Sequence, residues 1–399
     1  MYSKILQNPL IFRLSMVQFI AYFGAWFSNV AIYTLILEFG VDAITNAIIV
    51  SMYGLPALLA PLLGAIVDKF SFKRFMLMML GIELVMTLFY LTIYDITQVY
   101  VLMVLIFLRS TAALLFFQAE MSLLPQVVAK EALKSANELH SIIWSVTFAL
   151  GMALGGIAVD QWGISATIMI DVGLFVVAMG IFSTIKFEAT PKSVESISTM
   201  IREGFIYLKG HKGLLHLIMI HAAVALTSFD VLVNILTDVR YKEIIAISLA
   251  IGWLNATRAL GLMVGPLLIG RRVTQDNLHI VFVLEGIMIV LWALVEHSFW
   301  LSLGMMFFIG FFTTTLWSYT YTMIQQHTKA KFLGRVVAYN DMIFMIVGIV
   351  TTMFIGGAYE AGLPLEIITA TIGIGFIVAG GYYVWYKKAY GAFLKTKGD

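Results

Sequence analysis

The chain has no cysteine, so disulfides and thiolate metal sites are excluded. Charge is scarce too: Asp, Glu, Lys and Arg make up 12% of its 399 residues, about half the share usual in soluble domains. No hydrophilic stretch is long enough to hold a soluble catalytic domain, and no glycine-rich loop ending in Lys-Ser or Lys-Thr is available to cradle a nucleotide. Enzymatic and ATP-driven functions are thereby set aside, no cofactor and no nucleic-acid partner are expected, and a net charge of +2 by itself says nothing of partners.

What is abundant is apolar. Hydrophobic residues are 61% of the chain and the mean hydropathy is +0.94, which identifies an integral membrane protein. Apolar runs of about 20 residues, enough to cross a bilayer as helix, recur near 11–38, 44–67, 74–94, 98–120, 138–160, 164–186, 214–238, 244–270, 278–297, 299–325, 336–358 and 365–388. The first is too long for a signal-peptide core and lacks a small-residue cleavage site, so it is expected to remain as a helix. All but four of the 25 Lys and Arg fall on one side of this twelve-span arrangement; Arg240 and Lys242 fall on the other, and Arg109 and Arg258 lie inside spans. The bias predicts that both termini are cytoplasmic.

The chain also repeats itself. "NELHSIIWSVTFALGMALGGIAVD" at 137–160 is echoed by "NDMIFMIVGIVTTMFIGGAYE" at 340–360, and "PLLG" at 61–64 by "PLLIG" at 266–270. The expected fold is therefore all-α and membrane-integral, with twelve transmembrane helices in two pseudo-symmetric six-helix bundles, residues 1–190 and 214–399. The intervening 191–213 carries Val194, Ile197, Ile201, Phe205 and Leu208 on one helical face, the pattern of an amphipathic helix lying on the cytoplasmic surface.

"GAIVDKFSFKR" at 64–74 interrupts the apolar runs. Its Gly64, Asp68, Lys69, Lys73 and Arg74 resemble the signature turn between helices 2 and 3 of the major facilitator superfamily, with Ser71 and Phe72 departing from the common pattern. "SANELHSIIWSVTFALGMALGG" and "REGFIYLKGHKGLLHL" resemble the branch that holds enterobactin exporters and macrolide efflux pumps, although Ala25 stands after Gly24 where many such exporters carry Asp. The resemblance implies a conformational latch, in which the Asp68 carboxylate sits against the positive end of the helix beginning near 334–337. The plain alternative is a solvated acid beside cations that anchor the topology.

Ionisable residues inside spans are expensive and mark function by default. Glu83 and Arg109 lie at matching depth on consecutive helices and are expected to pair; Glu285 and Arg258 repeat that arrangement in the second half. A static salt bridge within each bundle is the competing reading for both. Arg109, in "LRSTAALLFFQA", also resembles the helix 4 arginine motif of proton antiporters. Asp171 is expected to be structural. Asp230 is the leading proton carrier: Thr227, Asp230 and Asn234 share one helix face, and burial disfavours an ionised carboxylate that has few polar neighbours. Asp230, Glu83, Arg109, Arg258 and Glu285 are the candidates for proton coupling.

His216, His221 and Asp230 make a tempting metal set. At about 100° per residue His221 and Asp230 point to opposite faces, and His216 is about 21 Å from Asp230 along the axis. No metal site is expected, and His221 reads as a packing residue. Tyr22, Trp26, Asn29 and Tyr33 share a face of span 1, and Thr314, Trp317 and Tyr321 share one of span 10. The resemblance turns spans 1, 4, 7 and 10 inward, so these residues, with Phe116, Thr227 and Asn234, are expected to line a substrate cavity. Packing or an interfacial aromatic belt is the alternative, most directly for Tyr33 and Tyr321.

The expected function is secondary active transport by alternating access: a proton-coupled exporter of bulky amphipathic molecules, drugs or siderophore-like compounds, in the plasma membrane of a bacterium. Its partners would be that substrate, protons and membrane lipid, and the protein is expected to be a monomer. A lysophospholipid or lipid carrier, a ferroportin-like metal exporter and a non-transporting membrane scaffold are the alternatives.

Overall fold

The computed structural model describes residues 6–59, 71–128, 130–186 and 197–395. Gly64, Asp68 and Lys69 of the expected latch, and Val194, lie outside the described residues. Within them every regular element is a helix, and the helices follow the expected spans, except that residues 60–67 of the second span lie outside the described residues, the fifth and sixth spans share one helix, and the seventh is broken.

Helix α1, Pro9–Glu38, starts where Asn8 caps it: the Asn8 side chain accepts the Leu10 N–H at 2.9 Å, and Pro9 fills the first helical position, where a missing N–H costs nothing. Asp42 caps α2, Ala43–Gly54, by accepting the Thr45 N–H at 2.7 Å. That hydrogen bond holds the Asp42 carboxyl below its ordinary range. Then come α3, Phe72–Tyr90, and α4, Val99–Val127. Helix α5, Lys130–Ser183, holds two crossings in one run, turned at Gly163, whose φ of 81° is a conformation that glycine adopts without strain.

Next are α6, Ile197–Gly210, and α7, Lys212–Ala222. A 3-10 turn at Ala223–Thr227 leads through Ser228 and Phe229 to α8, Asp230–Leu236, which runs into a π-helical turn at Thr237–Tyr241. The chain continues with α9, Ile247–Ile269, α10, Leu278–Val295, α11, Phe299–Gln326, α12, Leu333–Glu360, and α13, Leu365–Ala389.

The contacts define two compact units, neither continuous in sequence. The first comprises Met1–Val41, Leu62–Val194 and Ile245–Ala256. Its core gathers Phe72, Met76, Leu80, Phe116, Phe175 and Phe182. Helix α1 lies almost backbone-to-backbone on α5, since a Cβ on Gly155 would stand 2.4 Å from the Phe27 carbonyl oxygen. Apolar side chains gain little by leaving lipid for protein, so close approach of this kind, with its dispersion contacts, holds membrane helices together. The start of α9 belongs to this unit by the same means: Gly252 meets Gly156. Lys73, at the start of α3, donates to the Ser183 and Ile185 carbonyls at 2.8 and 2.7 Å, serving the free acceptors at the end of α5.

The second unit comprises Asp42–Pro61, Glu195–Ile244 and Thr257–Asp399. Here α2 packs on α12, where Gly356 faces Ala43 and Ala47 and Glu360 accepts the Ala43 N–H at 3.2 Å. Gly261 and Gly265 of α9 press on the backbone of Phe307 and Phe311 in α11. On helix α6 Phe205, one of the residues of the expected apolar face, is 58% exposed, whereas Tyr207 and Leu208 are buried. The docking face is set by polar and small residues that an apolar stripe does not reveal: Glu203 pairs with Arg335, Gly204 lies against Tyr339, and the Tyr207 ring stacks on Phe332 at 4.3 Å.

Candidate functional site

Each unit holds a guanidinium inside a span, buried for Arg109 and partly buried for Arg258, and neither has the expected partner. In the first unit Arg109 of α4 reaches Asp171 of α5, Nη2 to Oδ2 at 2.8 Å, and donates to the Ser28 hydroxyl of α1 at 3.0 Å. Arg109 is 4% exposed and Asp171 fully buried, with the Tyr90 and Phe175 rings 5.6 and 5.5 Å from the guanidinium carbon. Gly24 makes the pair possible, since a Cβ there would stand 2.2 Å from Asp171 Oδ1. Glu83 is buried on α3 and feels both charges. The expected Glu83–Arg109 ion pair is therefore replaced by Asp171–Arg109. The matching depths of Glu83 and Arg109 said nothing about the direction each helix turns them.

In the second unit Arg258 of α9 pairs with Asp230, Nη1 to Oδ1 at 3.6 Å, and donates to the Thr227 carbonyl at 3.2 Å. Its guanidinium carbon stands 4.7 Å from the Phe229 ring. Glu285, the expected partner of Arg258, is fully buried on α10 and accepts the Thr313 hydroxyl at 2.6 Å. Asp230 thus has a cation against it, contrary to the sparse surroundings read from sequence. It also starts a helix and does not sit within one. Thr-Ser-Phe is weak helix-forming sequence, and Ser228 and Phe229 leave the helix with ψ of 62° and 28°. Side chains take up the carbonyls this frees: Arg258 serves Thr227, and the Thr352 hydroxyl donates to Ser228 at 3.2 Å. The Asp230 side chain keeps 33% of its surface accessible, far more than Arg109, Asp171 or Glu285.

The expected cavity residues separate into two groups. Trp317 is 40% exposed and stacks on Tyr321 at 5.0 Å, with Thr314 half-buried on the same helix. Tyr22 and Trp26 are half-buried in aromatic clusters with α5. The others are withdrawn into packing, which corrects their assignment. Phe116 is a core residue against Phe182; Asn29, Tyr33 and Thr227 are buried; Asn234, fully buried, donates to Asn46 at 3.3 Å. These were assigned by helical period alone, which ranks faces but does not say which face meets a neighbour. His221 is buried and hydrogen-bonded to Thr320 at 2.8 Å, and His216 to the Tyr382 hydroxyl at 2.5 Å. A cavity of about 650 Å³ in the first unit is lined by Glu38, Tyr90, Tyr94 and Trp162 among others, none of them an expected cavity residue.

Two further clusters were missed. Glu120 and His140 face each other across α4 and α5; both fall at the edges of the expected spans, where charge passes for a boundary. Extending α4 to Val127, as its apolar run allows, would have placed Glu120 inside. The other cluster lies beyond the end of α10. Arg240 bridges Glu296 at 3.3 Å and Glu366 at 2.5 Å, and Thr369 donates to Glu296 at 2.7 Å. Burial pushes the Glu296 carboxyl up to about 7; Glu366 adds to the rise, while the Thr369 hydrogen bond and Arg240 hold it back.

Solved structures of the same fold include a peptide transporter, POT (TM-score 0.75, 14% identity, 97% of this chain and 96% of that one). A bacterial homologue of the human lysosomal transporter Spinster matches with TM-score 0.73 and 12% identity over 97% and 98% of the two chains. The nucleoside transporter NupG matches with TM-score 0.70 and 13% identity over 97% and 100%. At such identities the likeness is one of fold. In sequence, the chain is 24% identical over 200 residues to an uncharacterised MFS-type transporter, YfiS, of Bacillus subtilis (strain 168). That alignment covers 48% of this chain and about half of the relative, 47% of its length. Residues 14–241 match the Major Facilitator Superfamily, more than half of the chain, and with the apolar helical fold they establish that the protein is an integral membrane protein belonging to that superfamily.

Proposed function

We propose that the protein is a proton-coupled exporter of bulky amphipathic molecules in the bacterial inner membrane. It works as a monomer with both termini cytoplasmic, and alternating access runs between an amino-terminal half, 1–190, and a carboxy-terminal half, 214–399, joined by 191–213. The observation that carries this reading is the Asp230–Arg258 pair at the break before α8. Asp230 is accessible, so its proton can exchange, and Arg258 holds both its carboxylate and the Thr227 carbonyl. Protonating Asp230 removes the negative charge that helps to fix Arg258 and leaves the guanidinium held by the Thr227 carbonyl of the unwound turn. A proton at Asp230 thereby changes the relative stability of two helix geometries, which is what coupling requires. The stacked Trp317 and Tyr321 supply broad apolar faces with little hydrogen-bonding capacity, suited to amphipathic cargo and poorly suited to sugars or phosphates. A latch at Asp68 belongs to the same proposal on the ground of the sequence resemblance.

The test is efflux from proteoliposomes with and without an imposed pH gradient. Wild type should concentrate an amphipathic dye against its gradient only when the pH gradient is present. Asp230→Asn, fixed in the neutral form, should abolish uphill movement while retaining downhill exchange. A variant that still moves dye uphill would discard Asp230 as the coupling group.

A further inference from the structure

The cavity of about 650 Å³ in the first unit takes no part in the proton chemistry described above, and its volume is that of pockets that hold drug-sized ligands. Three pieces of the unit enclose it: the last turn of α1 with its cap, the end of α3 with the turn that follows, and the reversal at Gly163 inside α5. The walls divide by depth. Leu35, Ile93 and Ile168 are buried and make an apolar floor, whereas Glu38, Tyr94, Trp162 and Ser165 are exposed and make a polar and aromatic rim. That rim is held in place by the chain itself. The Gln98 side chain accepts the Tyr94 N–H at 2.7 Å and donates to the Thr92 carbonyl at 3.0 Å, so the backbone at Tyr94 is tied while the residue stays 77% exposed. The reversal at Gly163 brings Trp162, 64% exposed, and Ser165 to the same rim.

An apolar floor beneath rings and hydroxyls complements a molecule with an aromatic body and a single polar end. Among the described residues no Lys, Arg or His lines the cavity, so a carboxylate or phosphate would find no cation to pair with. The one acid of the lining, Glu38, stands in water, where its attraction for a cation is weak, but its oxygens accept hydrogen bonds. The polar end that fits is therefore an uncharged donor, a hydroxyl or an amide. We propose that this cavity binds neutral aromatic amphipathic molecules, with the aromatic body on the floor and the hydroxyl or amide end at Glu38. The site lies wholly within the first unit. The proposal goes beyond the exporter reading and does not depend on it, because occupancy here requires no turnover.

The experiment uses two photoreactive probes that share one body, hydroxymethylbenzophenone and benzoylbenzoate, on the purified full-length protein in lipid nanodiscs, with labelled peptides read by mass spectrometry. In wild type the alcohol should label the peptides that hold residues 35–39, 90–94 and 159–168, and an excess of diphenylmethanol, which is not photoreactive, should suppress most of that labelling. The carboxylate should label the same peptides several-fold less. Glu38→Lys supplies the missing cation and should raise the ratio of carboxylate to alcohol labelling by about threefold, a comparison in which the two probes' solubility in lipid cancels. Ser165→Trp, which fills the rim, should cut labelling by the alcohol several-fold. Glu38 and Ser165 are both exposed, so neither change asks the fold to repack. Labelling that diphenylmethanol does not suppress, or that spreads evenly over the lipid-facing helices, marks probe dissolved in the bilayer and would overturn the site, as would an unchanged probe ratio in Glu38→Lys. Dye efflux from proteoliposomes is a separate readout: uphill efflux can fail while suppressible labelling persists, and the reverse, so the site and the exporter reading stand or fall apart.

Discussion

Arg109 illustrates what one buried charge asks of its neighbours. With Asp171 fully buried against it, Arg109→Leu leaves a carboxylate uncompensated and should cost about 3–5 kcal/mol. Arg109→Leu combined with Asp171→Leu should recover most of that loss, whereas Arg109→Leu combined with Glu83→Leu should not; thermal unfolding of the purified proteins in detergent distinguishes the two. That such residues matter was legible in the sequence, because ionisable side chains in apolar runs stand out. Their pairing was not. Position along a helix fixes depth, but a partner depends on how each helix is rotated, and that is set by contacts such as Gly24 against Asp171. Glu120 was lost for another reason: a charge at the edge of an apolar window reads as the end of the window.

For the elements, the same division holds. Hydropathy located the crossings, since length and apolarity are properties of a segment by itself. The break at Ser228–Phe229 escaped because Thr-Ser-Phe is a mild helix breaker, made permanent by Arg258 and Thr352 from other helices. The crossing of α9 and α11 depends on an absence of side chains: a Cβ would lie 2.0 Å from the Phe307 carbonyl oxygen at Gly261, and 1.8 Å from that of Phe311 at Gly265. Neither carbonyl can move without disturbing its helix. Gly265→Val should therefore destabilise by about 1–3 kcal/mol or more, read as a lower melting temperature in detergent. Gly304, with open space around its position, should accept Ala with little change.

The molecule as a whole carries a pH response through Glu296. Its folded carboxyl titrates near 7 against an ordinary value of 4.5. Between those values the unfolded chain releases a proton that the folded protein keeps, so stability falls as pH rises through that window and levels off above it. Melting temperatures taken across the window should decline with pH for wild type and flatten in Glu296→Gln. Asp276, held below its ordinary range by Lys387, acts with the opposite sign and in a more acidic range, so it does not mask the effect.

The Arg109–Asp171 pair also bears on how the protein is made. The two residues are 62 positions apart, so at about 5–20 residues per second the ribosome delivers the acid about 3–12 s after the base. During that interval α4 must enter lipid carrying a guanidinium whose insertion costs about 2.5–3.5 kcal/mol. The fourth crossing should accordingly wait beside the insertion machinery until the second limb of α5 arrives. A nascent chain arrested before Asp171 should hold α4 in crosslinking distance of the translocon, and one arrested well beyond it should have let α4 go.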